Sequence, residues 1–167
     1  MKQIFLTIAI FCTVSSFSYC IAGKKLQKID KNEYHSLFST DKDTILWMSS
    51  SSSFFPKQGW TFENGELKLM PGQKGGDLIT RKQYSDFELQ LEFKLTKQCN
   101  SGVKYFLNPM ADRTNGKIGW IGFEYQIIDD FNGHEIPGYE GVKGSTGSLY
   151  LIYAPDAKRK KLNPTGQ

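Results

Sequence analysis

An antiparallel β-sandwich is the fold class this sequence predicts, and three observations predict it. Phe87, Leu89, Leu91, Phe93 and Leu95 hold a strict period of two, which is the pattern of a strand covering a core on one face. Asn64-Gly65 stands between two alternating runs, GWTFE and ELKLM, and is the strongest short hairpin signal. No stretch between Gly59 and Ala154 carries a helical period, so the strands lack crossover helices and stack as antiparallel sheets. Size agrees with this. At 167 residues, 39% hydrophobic and 14% aromatic, the chain can bury one real core but hardly two.

Taken in order, residues 1–23 read as a secretory signal. Lys2 gives the positive start, Ile4 to Val14 is an apolar run too short to span a membrane, and Ser15 to Gly23 is a small-residue exit. The expectation is export to the periplasm or cell surface, with no transmembrane span after cleavage. A lipid anchor at Cys20 is the less favoured alternative, because Tyr19 precedes it and Phe17 stands three before, where small and leucine-like residues are wanted. Cys12 and Cys20 leave with the signal, so Cys99 is alone and no internal disulfide is expected.

Residues 24–38 read as a polar linker and 39–167 as the domain. It opens with the short apolar segment ILWM and a serine run, Ser49 to Ser53, followed by the hairpin at Asn64-Gly65. Gly72 to Gly76 reads as a further hairpin loop, leading to the long strand through Phe87–Leu95. After a turn at Cys99-Asn100 come strands over SGVKYFL and GFEYQIID. A glycine-rich excursion from Phe131 to Ser148 then reaches a fourth strand, SLYLIYA.

The formal net charge of +4 is inflated by one late run, Lys158, Arg159, Lys160 and Lys161. Such a run is a solvated loop or edge; nucleic-acid binding needs basic residues interleaved with stacking aromatics, so that class is set aside. There is no phosphate-cradling loop, paired-cysteine metal site or serine-nucleophile elbow. No spaced calcium loop is present, so no cofactor is assigned, although acids and carbonyl oxygens leave a divalent metal open.

The polar residues of the two central strands fall into a pattern. Side chains two apart share a face, so Asn100, Gly102, Lys104 and Phe106 line one side of their strand, and Glu124 and Gln126 project together opposite Phe123, Tyr125 and Ile127, which are expected to hold the core. If the strands pair, Asn100, Lys104, Glu124 and Gln126 meet on one surface. Cross-strand ion pairing on a wet sheet face would explain that much. Gly102, however, leaves a hole beside the cluster, and the excursion with His134, Tyr139 and Glu140 is longer than a strand connection needs. Asp129 and Asp130 are either turn caps or site carboxylates.

In order and spacing, GWTFENGELKL, DLITRKQYSDFELQLEFKL, NSGVKYFL, GFEYQIIDD and TGSLYLIYAP resemble the 3-keto-disaccharide hydrolase family. The resemblance implies a concanavalin A-like jelly roll acting on sugars oxidised at C3, by C2 proton abstraction, elimination of the C1 substituent and rehydration. It implies Glu124 or Asp129 as the base, with His134 as acid for the leaving group. Lys104 and Asn100 would then be donors to the enolate oxygen, and Gln126 and Tyr139 would contact substrate. Family members continue beyond NPTGQ, so the sandwich is expected to lack its last strands. A non-catalytic carbohydrate-binding module and an inactive truncated remnant are the alternatives.

Overall fold

The computed structural model describes residues 4–6, 34–73, 75–85, 87–111, 114, 116, 118–136, 138–162 and 164. Most of the signal segment, with Cys12 and Cys20, and most of the 24–38 linker lie outside the described residues. Among the described residues the elements are β1 (Ile4–Leu6), β2 (Trp47–Ser49), β3 (Trp60–Glu63), β4 (Glu66–Leu69), β5 (Leu78–Thr80), β6 (Asn100–Ala111) and β7 (Ile118–Ile128). Three short 3-10 turns, Asp41–Leu46, Gly133–Glu135 and Gly141–Gly144, are the helical content of the described residues. The chain is all-β, as its sequence predicts, and among the described residues no helix is long and apolar enough to cross a membrane.

Two compact units form. One is built from the described residues of Leu6–Lys68 and Lys74–Phe93, the other from those of Met1–Phe5, Leu69–Gln73 and Lys94–Gln167. In the first, β3 and β4 are neighbours joined at Asn64-Gly65, both with positive φ, 53° and 77°. Asparagine and glycine enter that region at low cost, which is why the dipeptide makes the turn. β5 pairs antiparallel with β2, Trp47 opposite Thr80 and Ser49 opposite Leu78. The Gly72–Gly76 segment is therefore a connection to β5 and not the hairpin loop expected. The core of this unit stacks Phe38 on Trp47, ring centroids 4.6 Å apart, and Phe38 on Phe62 at 5.2 Å. The Trp47 indole donates to the Leu37 carbonyl at 3.2 Å, satisfying the polar edge of a buried ring.

The expected long strand at Phe87–Leu95 is not one. Its alternation survives as burial, with Leu91, Phe93 and Leu95 more covered than Glu92 and Lys94, but the segment forms no strand and has one bridge residue, Lys94. A period of two selects which face is apolar; a ladder also needs a partner backbone at the right distance, and the pattern is silent on that.

In the second unit, β6 and β7 form a long antiparallel pair. The expected fourth strand, SLYLIYA, folds instead into turns with isolated bridges, Tyr125 to Leu149 and Leu149 to Tyr153, and Leu151 sits at φ 60°. Residues 147–150 still run along the free edge of β7. Gly147 N donates to Gln126 O at 2.9 Å, Gln126 N to Ser148 O at 3.1 Å and Tyr150 N to Glu124 O at 2.9 Å.

Candidate active site on the β6–β7 face

The register places Gly102 opposite Gln126 and Lys104 opposite Glu124, with Asn100 opposite Ile128. The expected coincidence of polar faces is thus the observed one. The hole at Gly102 is occupied from across the strands. A Cβ there would collide with Glu124 Oε1 and lie 2.9 Å from its Cγ. The Glu124 carboxylate is seated over the β6 backbone at the one position in the strand without a side chain, with Lys104 as its cross-strand neighbour.

Burial along β7 departs from the expected alternation. Ile127 is fully buried, but Phe123 and Tyr125 are 45% and 43% exposed and Gln126 only 3%. Phe123 and Tyr125 lie on an open face with Tyr105, whose ring is 5.9 Å from that of Phe123, and do not hold the core as expected. Gln126 is held by its backbone bonds to residues 147 and 148, and its Oε1 accepts from Ile127 N at 3.3 Å. Alternation assigns faces, whereas burial depends on which segments pack over each face, and residues 145–150 pack along the Gln126 end.

The two acids that end the strand act as clamps. From Phe123 the pairing of β7 is regular to Ile128, and Asp129 N continues it by donating to Cys99 O at 2.9 Å. The Asp129 carboxylate is 1% exposed and receives four N–H groups. Gln98 N and Asn132 Nδ2 donate to Oδ2 at 2.8 and 2.7 Å, Phe131 N and Asn132 N to Oδ1 at 3.1 and 3.2 Å. It ties the turn before β6 to the loop after β7, and its lone pairs are already engaged. Asp130 reaches the other way: both its oxygens accept from Thr146 N, and Lys160 Nζ lies 2.6 Å from Oδ2 while donating to Ser145 Oγ at 2.9 Å. Lys160, which the sequence places in a solvated run, is thereby a structural ion-pair residue with its side chain only 20% exposed.

The excursion is partly ordered by the same device. Glu135, on the turn Gly133–Glu135, accepts from Gln98 Nε2 and pairs with Lys97 at 3.2 Å. Gln98 first and Lys97 second hold its carboxyl below the usual range. His134 is exposed, its Nε2 3.8 Å from Glu135 Oε1. The Tyr139 ring lies where a Cβ on Gly133 would be, 2.7 Å from Cζ. Burial, then the charge of Asp130, raises its phenol above the ordinary value, so it stays a donor. Cys99 is 2% exposed and its thiol is pushed up to about 12, chiefly by burial. Among the described residues no three His, Cys, Asp or Glu side chains gather as metal ligands.

Next to the Lys104–Glu124 pair the ladder slips. Tyr105 opposes Phe123 and Asn108 opposes Ile121, so Phe106 and Leu107 together face the single residue Gly122. Phe106 takes φ 53° there. A Cβ on Gly122 would lie 2.5 Å from Tyr105 O and 2.9 Å from Leu107 Cδ2, so the bulge requires glycine. Sequence reading missed this feature; a glycine inside the strand pattern at Gly122 was its available signal.

The chain is all-β with antiparallel strand pairs, consistent with the concanavalin A-like sandwich class. Within it, the family described as 3-keto-alpha-glucoside-1,2-lyase-like matches residues 33–167, and the chain belongs to that family. A 3-keto-disaccharide hydrolase of Bacteroides thetaiotaomicron is 26% identical over 135 residues, covering 73% of this chain and 46% of that protein. The chain thus spans about half the length of the curated relative it matches.

Proposed function

We propose that this chain carries the proton-abstracting half of an exported hydrolase that cleaves 3-keto-glycosides. The observation that carries the reading is the Glu124 carboxylate seated over Gly102 with Lys104 directly across; family membership supports the substrate class. A ketone at C3 acidifies the C2 proton. Glu124 takes that proton, Lys104 and Asn100 donate to the enolate oxygen, and the electron pair returns to expel the C1 oxygen, forming a C1–C2 double bond. The leaving oxygen gains a proton, for which exposed His134 is the candidate donor, and water adds at C1 to complete net hydrolysis. Tyr139, kept protonated, offers a hydroxyl to the sugar. Gln126, on the same face as Glu124 but buried, supports the seat and does not reach the sugar. Asp129, with its four donors, serves the frame and leaves Glu124 as the base.

The test compares a 3-keto-glycoside with its unoxidised parent, using this chain and Glu124→Gln. Cleavage of the keto sugar alone is expected, with loss of about 10²–10⁴ in the variant and loss of deuterium exchange at C2. Cleavage of neither substrate by the folded chain overturns the reading. A second reading, a non-catalytic carbohydrate-binding module, is favoured by exposed Phe123 and Tyr125 on the opposite sheet face. Sugar binding that Glu124→Gln leaves untouched, without cleavage, would establish it.

A further inference from the structure

We propose that Tyr150 is the donor to the leaving C1 oxygen at the Glu124 site, in place of His134; the assignment rests on the hydrolase reading and deepens it. The residue reaches the site along the free edge of β7. Tyr125 and Leu149 are bridge partners, and the bonds from Gln126 N to Ser148 O and from Tyr150 N to Glu124 O flank them as antiparallel pairing requires. Opposed residues share a face, so Leu149 lies with Tyr125 and Tyr150 lies with Glu124. Gly147 gives an independent check. A Cβ there would lie 3.4 Å from the Tyr125 hydroxyl oxygen, which puts residue 147 on the Tyr125 side, as alternation from Leu149 demands. Lys104, Glu124 and Tyr150 therefore form one row across three neighbouring segments, with the carboxylate in the middle.

The ring of Tyr150 is held while its hydroxyl is left unengaged. The residue is half-buried and packs at buried Gly144, where a Cβ would lie 3.8 Å from Tyr150 Cε2 and 3.1 Å from Glu140 Cβ. Leu151 N donates to Lys143 O at 3.0 Å, fastening that turn to the segment that carries the ring. The phenol oxygen makes no hydrogen bond among the described residues, and a phenol O–H can both donate and accept. The order of the row matches the order of the sugar carbons. In a 3-keto-glycoside C2 lies between the ketone carbon and the anomeric carbon. With Lys104 at the ketone and Glu124 at the C2 proton, the group on the far side of Glu124 meets the C1 oxygen. Glu124 takes the C2 proton, the C1–O bond breaks with its electron pair on oxygen, and that oxygen takes the phenolic proton of Tyr150. In the second half the oxygen of water bonds to C1, the proton of that water restores the phenol, and the proton held by Glu124 returns to C2. The sum is hydrolysis, with both side chains as they began.

The test uses Tyr150→Phe, which removes one oxygen and keeps the ring against Gly144, on two 3-keto-glycosides, one with an alkyl and one with a nitrophenyl leaving group. A nitrophenolate leaves without a proton. In the variant kcat should fall about 10²-fold for the alkyl substrate and by no more than about threefold for the nitrophenyl one. Glu124-dependent deuterium exchange at C2 should persist, at an unchanged melting temperature. No loss, equal losses on both substrates, or losses that follow a lowered melting temperature would overturn the assignment. A loss confined to the alkyl substrate in His134→Gln and absent from Tyr150→Phe would return the proton to His134. Each of these results leaves the hydrolase reading standing, whereas a folded wild-type chain that neither cleaves nor exchanges at C2 sinks both.

Discussion

Replacing Asp129 by asparagine tests whether the strand-end acid is frame or chemistry. The carboxylate takes two N–H groups on each oxygen, three of the four from backbone. An asparagine whose oxygen stays at the Oδ1 position keeps Phe131 N and Asn132 N, but sets its own amide nitrogen against Gln98 N–H. The Asn132 amide can rotate to offer an oxygen; the Gln98 backbone cannot. One buried donor left unsatisfied costs about 1–3 kcal/mol, and the remaining bonds lose the charge that strengthened them. The expected destabilisation is about 2–3 kcal/mol for Asp129→Asn and about 3–5 kcal/mol for Asp129→Ala, which strands all four. Either is a large share of a stability of about 5–15 kcal/mol. Urea unfolding followed by tryptophan fluorescence measures it, and hydrogen exchange should quicken at Gln98, Phe131 and Asn132. An Asp129→Asn protein within about 0.5 kcal/mol of wild type that no longer cleaves would refute the reasoning and make Asp129 the base.

Gly102→Ala should displace the Glu124 carboxylate and cut kcat by about 10²-fold at nearly unchanged melting temperature; full activity would show that the seat does not matter. The buried Cys99 thiol should resist alkylation at pH 8 until the chain unfolds. Because its value is raised to about 12, the neutral thiol's contribution is complete below the ordinary thiol range and drains away as pH climbs toward 12, so Cys99→Ala should flatten the alkaline limb of stability. Glu135 has the opposite sign: its lowered value makes its contribution present above the ordinary carboxylate range and lost as pH falls through the depressed one. Glu135→Gln should therefore remove the acid-dependent rise in Gln98 amide exchange.

The readable parts of this fold are those that depend on neighbouring residues alone. Asn64-Gly65 announced its turn because the needed backbone signs belong to those two residues. The shared face of Asn100 and Lys104 on β6, and of Glu124 and Gln126 on β7, was legible because alternation within a strand is local; that the two faces coincide depended on the pairing. What failed depended on a partner. Leu91, Phe93 and Leu95 keep their alternation without a ladder, and Phe123 and Tyr125 stay exposed because face and cover are separate questions. The carboxylates of Asp129 and Asp130 look alike in the sequence, yet one takes the Gln98 amide from before β6 and the other binds Lys160 thirty residues on. Neither partner is suggested by local spacing.

The hydroxyl of Thr146 both accepts from Ile128 N at 2.8 Å and donates to Ile128 O at 2.7 Å. A single side chain thereby imitates a neighbouring strand at the last residue of β7. Sliding the 145–150 segment by one residue would put Ser145 or Gly147 there; serine could copy the gesture, but Asp130 would lose its amide and Glu124 its edge partner together. Slippage by one is the error that exchanges the two faces of a strand. Thr146 is a molecular index mark, fixing which residues of 145–150 lie against β7 and denying that stretch of edge to a strand from another molecule.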